Sequence, residues 1–155
     1  MAKQSAGLLM FRRSAGQVEV LLVHPGGPFW RRKDLGSWSL PKGEYGDGED
    51  AFAAAAREFQ EETGIPPAGN FVPLGQVRQP GGKLVTAWAF EGDCDASAIH
   101  SNSFPLEWPK GSGRIQQFPE IDRAAWFPLE TARLKILKGQ APLLERLAAH
   151  LAEPR

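Results

Sequence analysis

The sequence predicts one domain of the α/β or α+β class, with helices packed on the faces of a β-sheet. Segments with strand composition alternate with a few helical segments along the chain. Neither a repeat nor a linker-like stretch interrupts them, so the 155 residues are expected to form a single domain over residues 1–155. With 42% hydrophobic and 23% charged residues, the composition suits a globular protein and excludes a disordered, collagen-like or coiled-coil chain.

The chain opens with two segments that are expected to pair as strands. Residues 5–13 and 18–24 are rich in aliphatic and β-branched side chains, and residues 14–17 offer a turn between them. The sequence Pro-Gly-Gly-Pro at 25–28 ends the second strand. A basic and aromatic loop follows and leads into the stretch Trp-Ser-Leu-Pro-Lys-Gly at 38–43.

The clearest helix signal lies between Asp47 and Gly64. Asp47 is expected to cap the helix, and acidic residues in its first turn complement the helix dipole. An alanine run favours helix, and Gly64 is suited to end it. The residues spaced to form one apolar face against the sheet are Phe52, Ala55, Ala56 and Phe59.

The second half of the chain alternates in the same way around one long polar segment. Residues 71–79 and 83–90 flank a Pro-Gly-Gly turn and predict a hairpin. The span 92–122 is mostly irregular, with a short hairpin expected around 109–113. The remaining expected elements are a strand at 124–127, a short helix at 129–137 and a terminal helix at 142–151.

Charge and cysteine content limit the partners and the location. Eighteen basic residues balance eighteen acidic ones, so no net field favours a long nucleic acid or an anionic membrane. The longest early apolar run, at 6–11, is too short for a signal-peptide core or a membrane span. Cys94 is the one cysteine and cannot form an internal disulfide, which suits a reducing compartment. We therefore expect a cytoplasmic protein.

Three glutamates carry the first chemical signal. Glu58, Glu61 and Glu62 stand at i, i+3 and i+4, so their carboxylates project from adjacent turns of one helix face. Like charges at this spacing repel each other, whereas a purely solvated face would more often interleave lysines. Arg57 can neutralise part of the patch, and the remainder suits a divalent cation such as Mg²⁺, which prefers oxygen ligands. From these glutamates alone, a solvated acidic face is the favoured interpretation.

The glutamates belong to a longer pattern. The chain has Gly43, five residues, Glu49, seven residues, Arg57-Glu58-Phe59, one residue, Glu61-Glu62, one residue and Gly64-Ile65. At every specified position this resembles the signature of the Nudix hydrolases, Gly-x5-Glu-x7-Arg-Glu-U-x-Glu-Glu-x-Gly-U, where U is bulky and apolar. The segments at 5–7, 38–43 and 125–129 also resemble the family's opening strand, its approach to the helix and its closing strand and helix.

The resemblance implies a fold and a reaction. The implied fold is the Nudix-type α/β/α sandwich, with a mixed β-sheet and helices on its faces. The implied reaction is hydrolysis of a diphosphate linkage in a nucleoside diphosphate derivative, with Mg²⁺ as cofactor and Mn²⁺ as a substitute. Transferred by position, the metal ligands are the Gly43 carbonyl, Glu58, Glu61 and Glu62, and Glu58 alternatively orients the attacking water. In the same transfer Arg57 holds the carboxylates in place and Glu49 supports the helix start.

Further site residues are expected outside this pattern. Family members often take another base or ligand from a loop, and Glu120 is the first candidate here, with Glu107 second; each is equally compatible with a surface charge. The side chains expected to meet phosphate oxygens are Arg31, Arg32, Lys33 and Lys42, and those expected to stack on a base or line the groove are Phe29 and Trp30. Trp38 and His24 are expected to be structural.

The substrate is a small nucleotide, and its class stays open at this stage. The approach to the helix and the compact length resemble members acting on dinucleoside polyphosphates or nucleoside triphosphates, which we rank first. Pro80, fifteen residues beyond Ile65, resembles a marker of ADP-ribose-cleaving relatives, which with nucleotide-sugar pyrophosphatases rank second. Capped RNA ends or diphosphoinositols rank third. A Nudix module that binds a nucleotide without cleaving it is a further alternative, and the protein is expected to be a monomer or a homodimer.

Overall fold

The computed structural model describes residues 3–152 and contains a main sheet, a separate hairpin and three α-helices. The strands are β1 (Gln4–Ser14), β2 (Gln17–Pro25), β3 (Lys42–Glu44), β4 (Phe71–Arg78), β5 (Leu84–Glu91), β6 (Ser103–Glu107), β7 (Ile115–Pro119) and β8 (Ile121–Pro128). The helices are α1 (Ala51–Thr63), α2 (Leu129–Lys135) and α3 (Ala141–Ala152), with 3₁₀ turns at Ala96–Ala98 and Lys138–Gln140.

The main sheet is mixed and is built around β1. Its order is β4-β5-β1-β2-β8, and the short β3 also pairs with β1, which gives six strands. The β1–β5 pair is parallel, and the other pairs in this sheet are antiparallel. The separate pair β6–β7 is an antiparallel hairpin. The pairing of β3 places Gly43 opposite Ala6, so the end of the approach segment is fixed on the central strand.

Two hydrophobic clusters lie on opposite faces of this sheet. Ala6, Leu8 and Met10 of β1 pack with α1, in a cluster that includes the fully buried Phe59. Leu9 and Phe11 point the other way, into a larger cluster with α2 and α3. This alternation along one strand follows from the two-residue period of β structure. The arrangement confirms the predicted α/β/α sandwich with a mixed sheet.

Helix α1 begins later than the sequence analysis expects. Asp50, rather than Asp47, is the N-cap, and its carboxylate accepts a hydrogen bond from the Ala53 N–H at 3.0 Å. Glu49 therefore lies before the helix and not in its first turn. At the other end, Gly64 takes the left-handed conformation (φ 78°) and its N–H bonds the Gln60 carbonyl, as a C-terminal glycine does.

Other element bounds shift by a few residues. Residues 42–44, for which no strand is expected from the sequence, form β3. Gly7 lets this segment come close to β1, because a Cβ at Gly7 would lie 2.6 Å from the Pro41 carbonyl oxygen. The last strand begins at Ile121 instead of 124, and α2 ends at Lys135 instead of 137. Within residues 3–152, no helix is both long and apolar enough to cross a bilayer.

Candidate functional site

A cleft of about 200 Å³ opens where β2 ends, β8 begins and α1 finishes. It brings together three charged side chains from distant parts of the sequence, namely Lys42, Glu62 and Glu120. Its other lining residues are Val23, Pro25, Trp30, Ser37, Ser39, Leu40, Ile121 and Leu137. The approach segment therefore borders the same cleft as the last turn of α1.

Gly43 and Glu58 face each other across the β3–α1 contact. A Cβ at residue 43 would lie 2.1 Å from a carboxylate oxygen of Glu58, closer than any real contact. Only glycine can therefore occupy position 43 while Glu58 keeps this orientation. The Glu58 side chain is only 15% exposed, and burial raises its pKa, with Arg57 acting in the opposite direction.

Glu62 is the most buried carboxyl group of the helix face. Its Oε1 atom accepts a hydrogen bond from the Lys42 N–H at 3.2 Å, which ties the end of α1 to β3. Burial, with Glu58 and Glu120 nearby, raises the pKa of Glu62 to about 8, although the hydrogen bond and the Lys42 charge oppose this. Burial likewise lowers the pKa of Lys42. The cleft thus concentrates acidic groups whose charged forms are only partly compensated.

Arg57 connects the acidic residues of α1 and its approach. Its Nε and Nη2 atoms donate to the two Glu49 oxygens at 3.0 and 3.1 Å. Its Nη1 atom donates to Glu58 at 2.9 Å and more weakly to Glu61 at 3.4 Å. Glu61 is 46% exposed, so it lies on the solvent side of the group. Glu49 consequently orients Arg57 from outside the helix.

The structure separates the two loop candidates. Glu120 lines the cleft and contributes to the raised pKa values of Glu58 and Glu62. Glu107 lies at the end of β6, where its two oxygens accept hydrogen bonds from the Gly111 and Gly113 N–H groups at 2.8 and 3.2 Å. Glu107 therefore closes the β6–β7 turn.

The basic and aromatic loop divides between the cleft and the surface. Trp30 and Lys42 line the cleft. Arg31 and Arg32 are exposed and are not part of its lining. Phe29 is 63% exposed and packs edge-to-face on Trp108 of the hairpin region, with ring centroids 5.3 Å apart.

His24 lies beside the cleft and is fully buried. Its Nδ1 atom is 2.8 Å from an Asp122 oxygen, and its Nε2 atom is 2.7 Å from the Lys33 carbonyl oxygen. The ring also contacts Trp38 edge-on, and Trp38 is a core residue with 4% exposure. The sequence predicts a structural His24 but carries no signal for Asp122, because the two residues of this pair lie far apart in the chain.

The donor set suits a divalent cation. Glu58 and Glu62 offer hard oxygen ligands, and the missing Cβ at Gly43 lets the Glu58 carboxylate lie directly against the β3 backbone. In the described part of the chain, no three acidic, imidazole or thiol groups are close enough to form a complete protein cage. Mg²⁺ does not need one, because it usually binds one or two carboxylates together with water and substrate phosphates.

Comparison with known proteins identifies a family model and several relatives that resemble this chain. A family model described as NUDIX domain matches residues 1–147. Nudix hydrolase 7 of Arabidopsis thaliana is 38% identical over 125 residues, which are 81% of this chain and 39% of that protein. The asymmetrical bis(5'-nucleosyl)-tetraphosphatase of Caenorhabditis elegans is 38% identical over 65 residues, which are 42% of this chain and 43% of that protein.

A solved structure extends the likeness over the whole fold. The crystal structure of a C. elegans Ap4A hydrolase binary complex aligns with a TM-score of 0.65 and 26% identity, covering 97% of this chain and 98% of that one. The chain therefore belongs to the Nudix family. It spans less than half the length of the two curated relatives named above.

Proposed function

We propose that the protein is a metal-dependent pyrophosphohydrolase that cleaves a diphosphate linkage in a nucleoside diphosphate derivative. The observation that carries the proposal is the convergence of Glu62, Glu120 and Lys42 on one cleft, with Glu58 held against Gly43 beside them. Acidic groups for a cation and a basic group for phosphate thus lie within one small space. Membership of the Nudix family supports the same reaction class.

The proposed roles follow from this placement. Mg²⁺, or Mn²⁺ as a substitute, would take its protein ligands from Glu58, Glu61, Glu62 and the Gly43 carbonyl, one or two carboxylates at a time, with water and substrate phosphates completing the coordination. Glu58 would alternatively orient the attacking water. When bound, the cation neutralises charge on the diphosphate and favours ionisation of the attacking water. Arg57 keeps Glu58 in place through the 2.9 Å hydrogen bond between them. Glu120, which lines the same cleft, accepts the proton of the attacking water.

Substrate binding is assigned to the basic and aromatic residues around the cleft. Lys42 contacts a phosphate oxygen, and Trp30 stacks on a base or closes the groove wall. Lys33 lies 5.2 Å from the centre of the Trp30 ring, which keeps a positive charge beside this surface. Arg31, Arg32 and Phe29, at the rim, contact parts of the substrate that extend beyond the cleft.

A dinucleoside polyphosphate or a nucleoside triphosphate is the first choice of substrate. The C. elegans bis(5'-nucleosyl)-tetraphosphatase sequence and the C. elegans Ap4A hydrolase structure named above support this choice. Pro80 gives little support to an ADP-ribose-like substrate. It lies in a turn that is closed by a 3.0 Å hydrogen bond from the Gly82 N–H to the Gln79 carbonyl. A turn therefore accounts for the proline without any ligand.

A panel of nucleotides tests this function. The protein is incubated with Mg²⁺ and Ap4A, nucleoside triphosphates, ADP-ribose or a nucleotide sugar, and the products are separated by ion-exchange chromatography. Hydrolysis in ¹⁸O-labelled water identifies the phosphorus atom that is attacked. The E145Q variant is a matched control, because Glu145 pairs with Arg133 in the α2–α3 layer on the other face of the sheet. Tight binding of a nucleotide without turnover would instead favour the binding-only alternative.

A further inference from the structure

His24 joins two separate segments of the cleft through its two ring nitrogens. The ring lies at the end of β2 with no exposed surface. Nδ1 is 2.8 Å from the Asp122 carboxylate on β8, and Nε2 is 2.7 Å from the backbone carbonyl of Lys33. The carboxylate and the carbonyl are both hydrogen-bond acceptors, so the ring faces an acceptor within hydrogen-bond distance on each side. The edge-on contact with Trp38 leaves the ring little freedom to turn.

The Asp122 contact lies next to Glu120. His24 pairs with Arg123 and Pro25 pairs with Ile121, so the register shifts by one residue and Asp122 is the extra residue of β8. Such a bulge redirects neighbouring side chains. Glu120 comes two residues earlier, and its carbonyl accepts a hydrogen bond from the Gly26 N–H at 2.8 Å, just beyond the bulge. Holding Asp122 therefore fixes the backbone from which Glu120 enters the cleft.

The Lys33 contact lies next to Trp30. The Lys33 N–H donates to the Trp30 carbonyl at 2.9 Å, which closes a turn at the tip of the loop. The two central residues of this turn, Arg31 and Arg32, are exposed. The hydrogen bond from His24 to the Lys33 carbonyl is thus an anchor between the buried sheet and the turn that carries Trp30.

We propose that His24 is a positioning residue with two independent arms: Nδ1 sets Glu120 through Asp122, and Nε2 sets Trp30 through Lys33. This inference rests on the proposed function for its kinetic consequences. The Glu120 arm acts on the chemical step, so its loss lowers kcat. The Trp30 arm acts on substrate binding, so its loss raises KM.

Two substitutions separate the arms, because each amide replaces one ring nitrogen. In His24→Asn the amide nitrogen takes the place of Nδ1 and keeps the Asp122 contact, whereas in His24→Gln it takes the place of Nε2 and keeps the Lys33 contact. Hydrogen exchange measured by mass spectrometry gives a readout without turnover. H24N should exchange faster in peptides covering residues 29–34, and H24Q in those covering 119–123, each by at least fivefold.

Kinetics give the second readout on the same variants. H24N should raise KM at least fivefold with kcat within twofold of the parent, and H24Q should lower kcat at least fivefold with KM within twofold. A purely structural histidine would lower stability in both variants without this division. H150N is the matched control, since His150 is an exposed residue of α3, and it should leave both constants unchanged.

The outcomes distinguish this inference from the proposed function. If the parent hydrolyses none of the nucleotides, the proposed function is wrong, and the exchange pattern still decides whether the two arms exist. If the parent is active and both variants change the same peptides and the same constant, the two-arm assignment is wrong. Should either histidine variant fail to fold, D122A replaces H24Q. D122A must show faster hydrogen exchange only in the peptides covering residues 119–123. D122N keeps an acceptor for Nδ1 and should exchange like the parent.

Discussion

Replacing Glu62 with glutamine is expected to stabilise the protein when no divalent cation is present. The side chain is buried beside Glu58, and its pKa is raised from 4.5 to about 8. A carboxyl group whose pKa is higher in the folded state does not lower the free energy of unfolding below pH 4.5, where it is protonated. As the pH rises toward 8, it lowers this free energy increasingly. Glutamine removes this cost and keeps an oxygen that can accept the Lys42 N–H.

The structure sets the size of the effect. At pH 7 the parent carries a cost of about 3 kcal/mol, from the 2.5 pH units above 4.5 at ~1.36 kcal/mol each. For a domain of this size that difference corresponds to a rise in melting temperature of roughly 6 to 12 °C. The effect should become small near pH 4.5 and disappear below it, where the group is protonated in both states.

Urea unfolding in EDTA at pH 5 and pH 7.5 measures the difference directly. E61Q is the matched control: Glu61 is 46% exposed and loses only its 3.4 Å pair with Arg57, so its unfolding free energy should change by less than ~0.5 kcal/mol. With Mg²⁺ the parent should gain stability and E62Q should gain less, because a bound ligand stabilises the state that binds it. Equal unfolding free energies for parent and E62Q at pH 7.5 would refute the assignment of a buried, uncompensated carboxyl group.

Three further predictions test the site. G43A should reduce kcat at least tenfold, because the added Cβ would lie 2.1 Å from the facing carboxylate; activity within twofold of the parent would show that this close approach is not needed. E120Q should lower kcat at least tenfold while E107Q, which affects only the hairpin turn, should leave it unchanged; the reverse ranking in steady-state kinetics would exchange the two roles. The R31A/R32A double variant should raise KM for Ap4A several-fold with little change in kcat, and an unchanged KM would place both arginines outside the binding surface.

The sequence predicts α1 well but not its first residue. Periodicity, the alanine run and Gly64 are local signals, and they agree with the observed helix. Two aspartates precede it, and both are suitable caps. The choice of Asp50 is linked to Glu49, which pairs with Arg57 eight residues further on, and this tertiary contact is not visible as a local pattern.

The candidates outside the signature depend even more on long-range contacts. The sequence ranks Glu120 before Glu107 but leaves both compatible with a surface charge. In the fold Glu107 closes the β6–β7 turn, whereas Glu120 lines the cleft. The pairing of β3 depends on the absence of a side chain at Gly7, which lies more than thirty residues away. Asp122 carries no sequence signal, since its contact with His24 arises from a register shift that forms only in the assembled sheet.

The division of the core by the sheet has a consequence for protein engineering. The carboxylates lie on α1, which packs through the small buried residues Ala54 and Ala55 on one face. On the other face of the sheet, the α3 residues Leu143, Leu144 and Leu147 belong to the second hydrophobic cluster, which is separate from that of α1. Stabilising substitutions can therefore be sought in the α3 layer, where repacking does not press on α1. Larger side chains at the two alanines would lift the helix from the sheet and displace its carboxylates, so the layer that carries the candidate site tolerates far less redesign than the α3 layer.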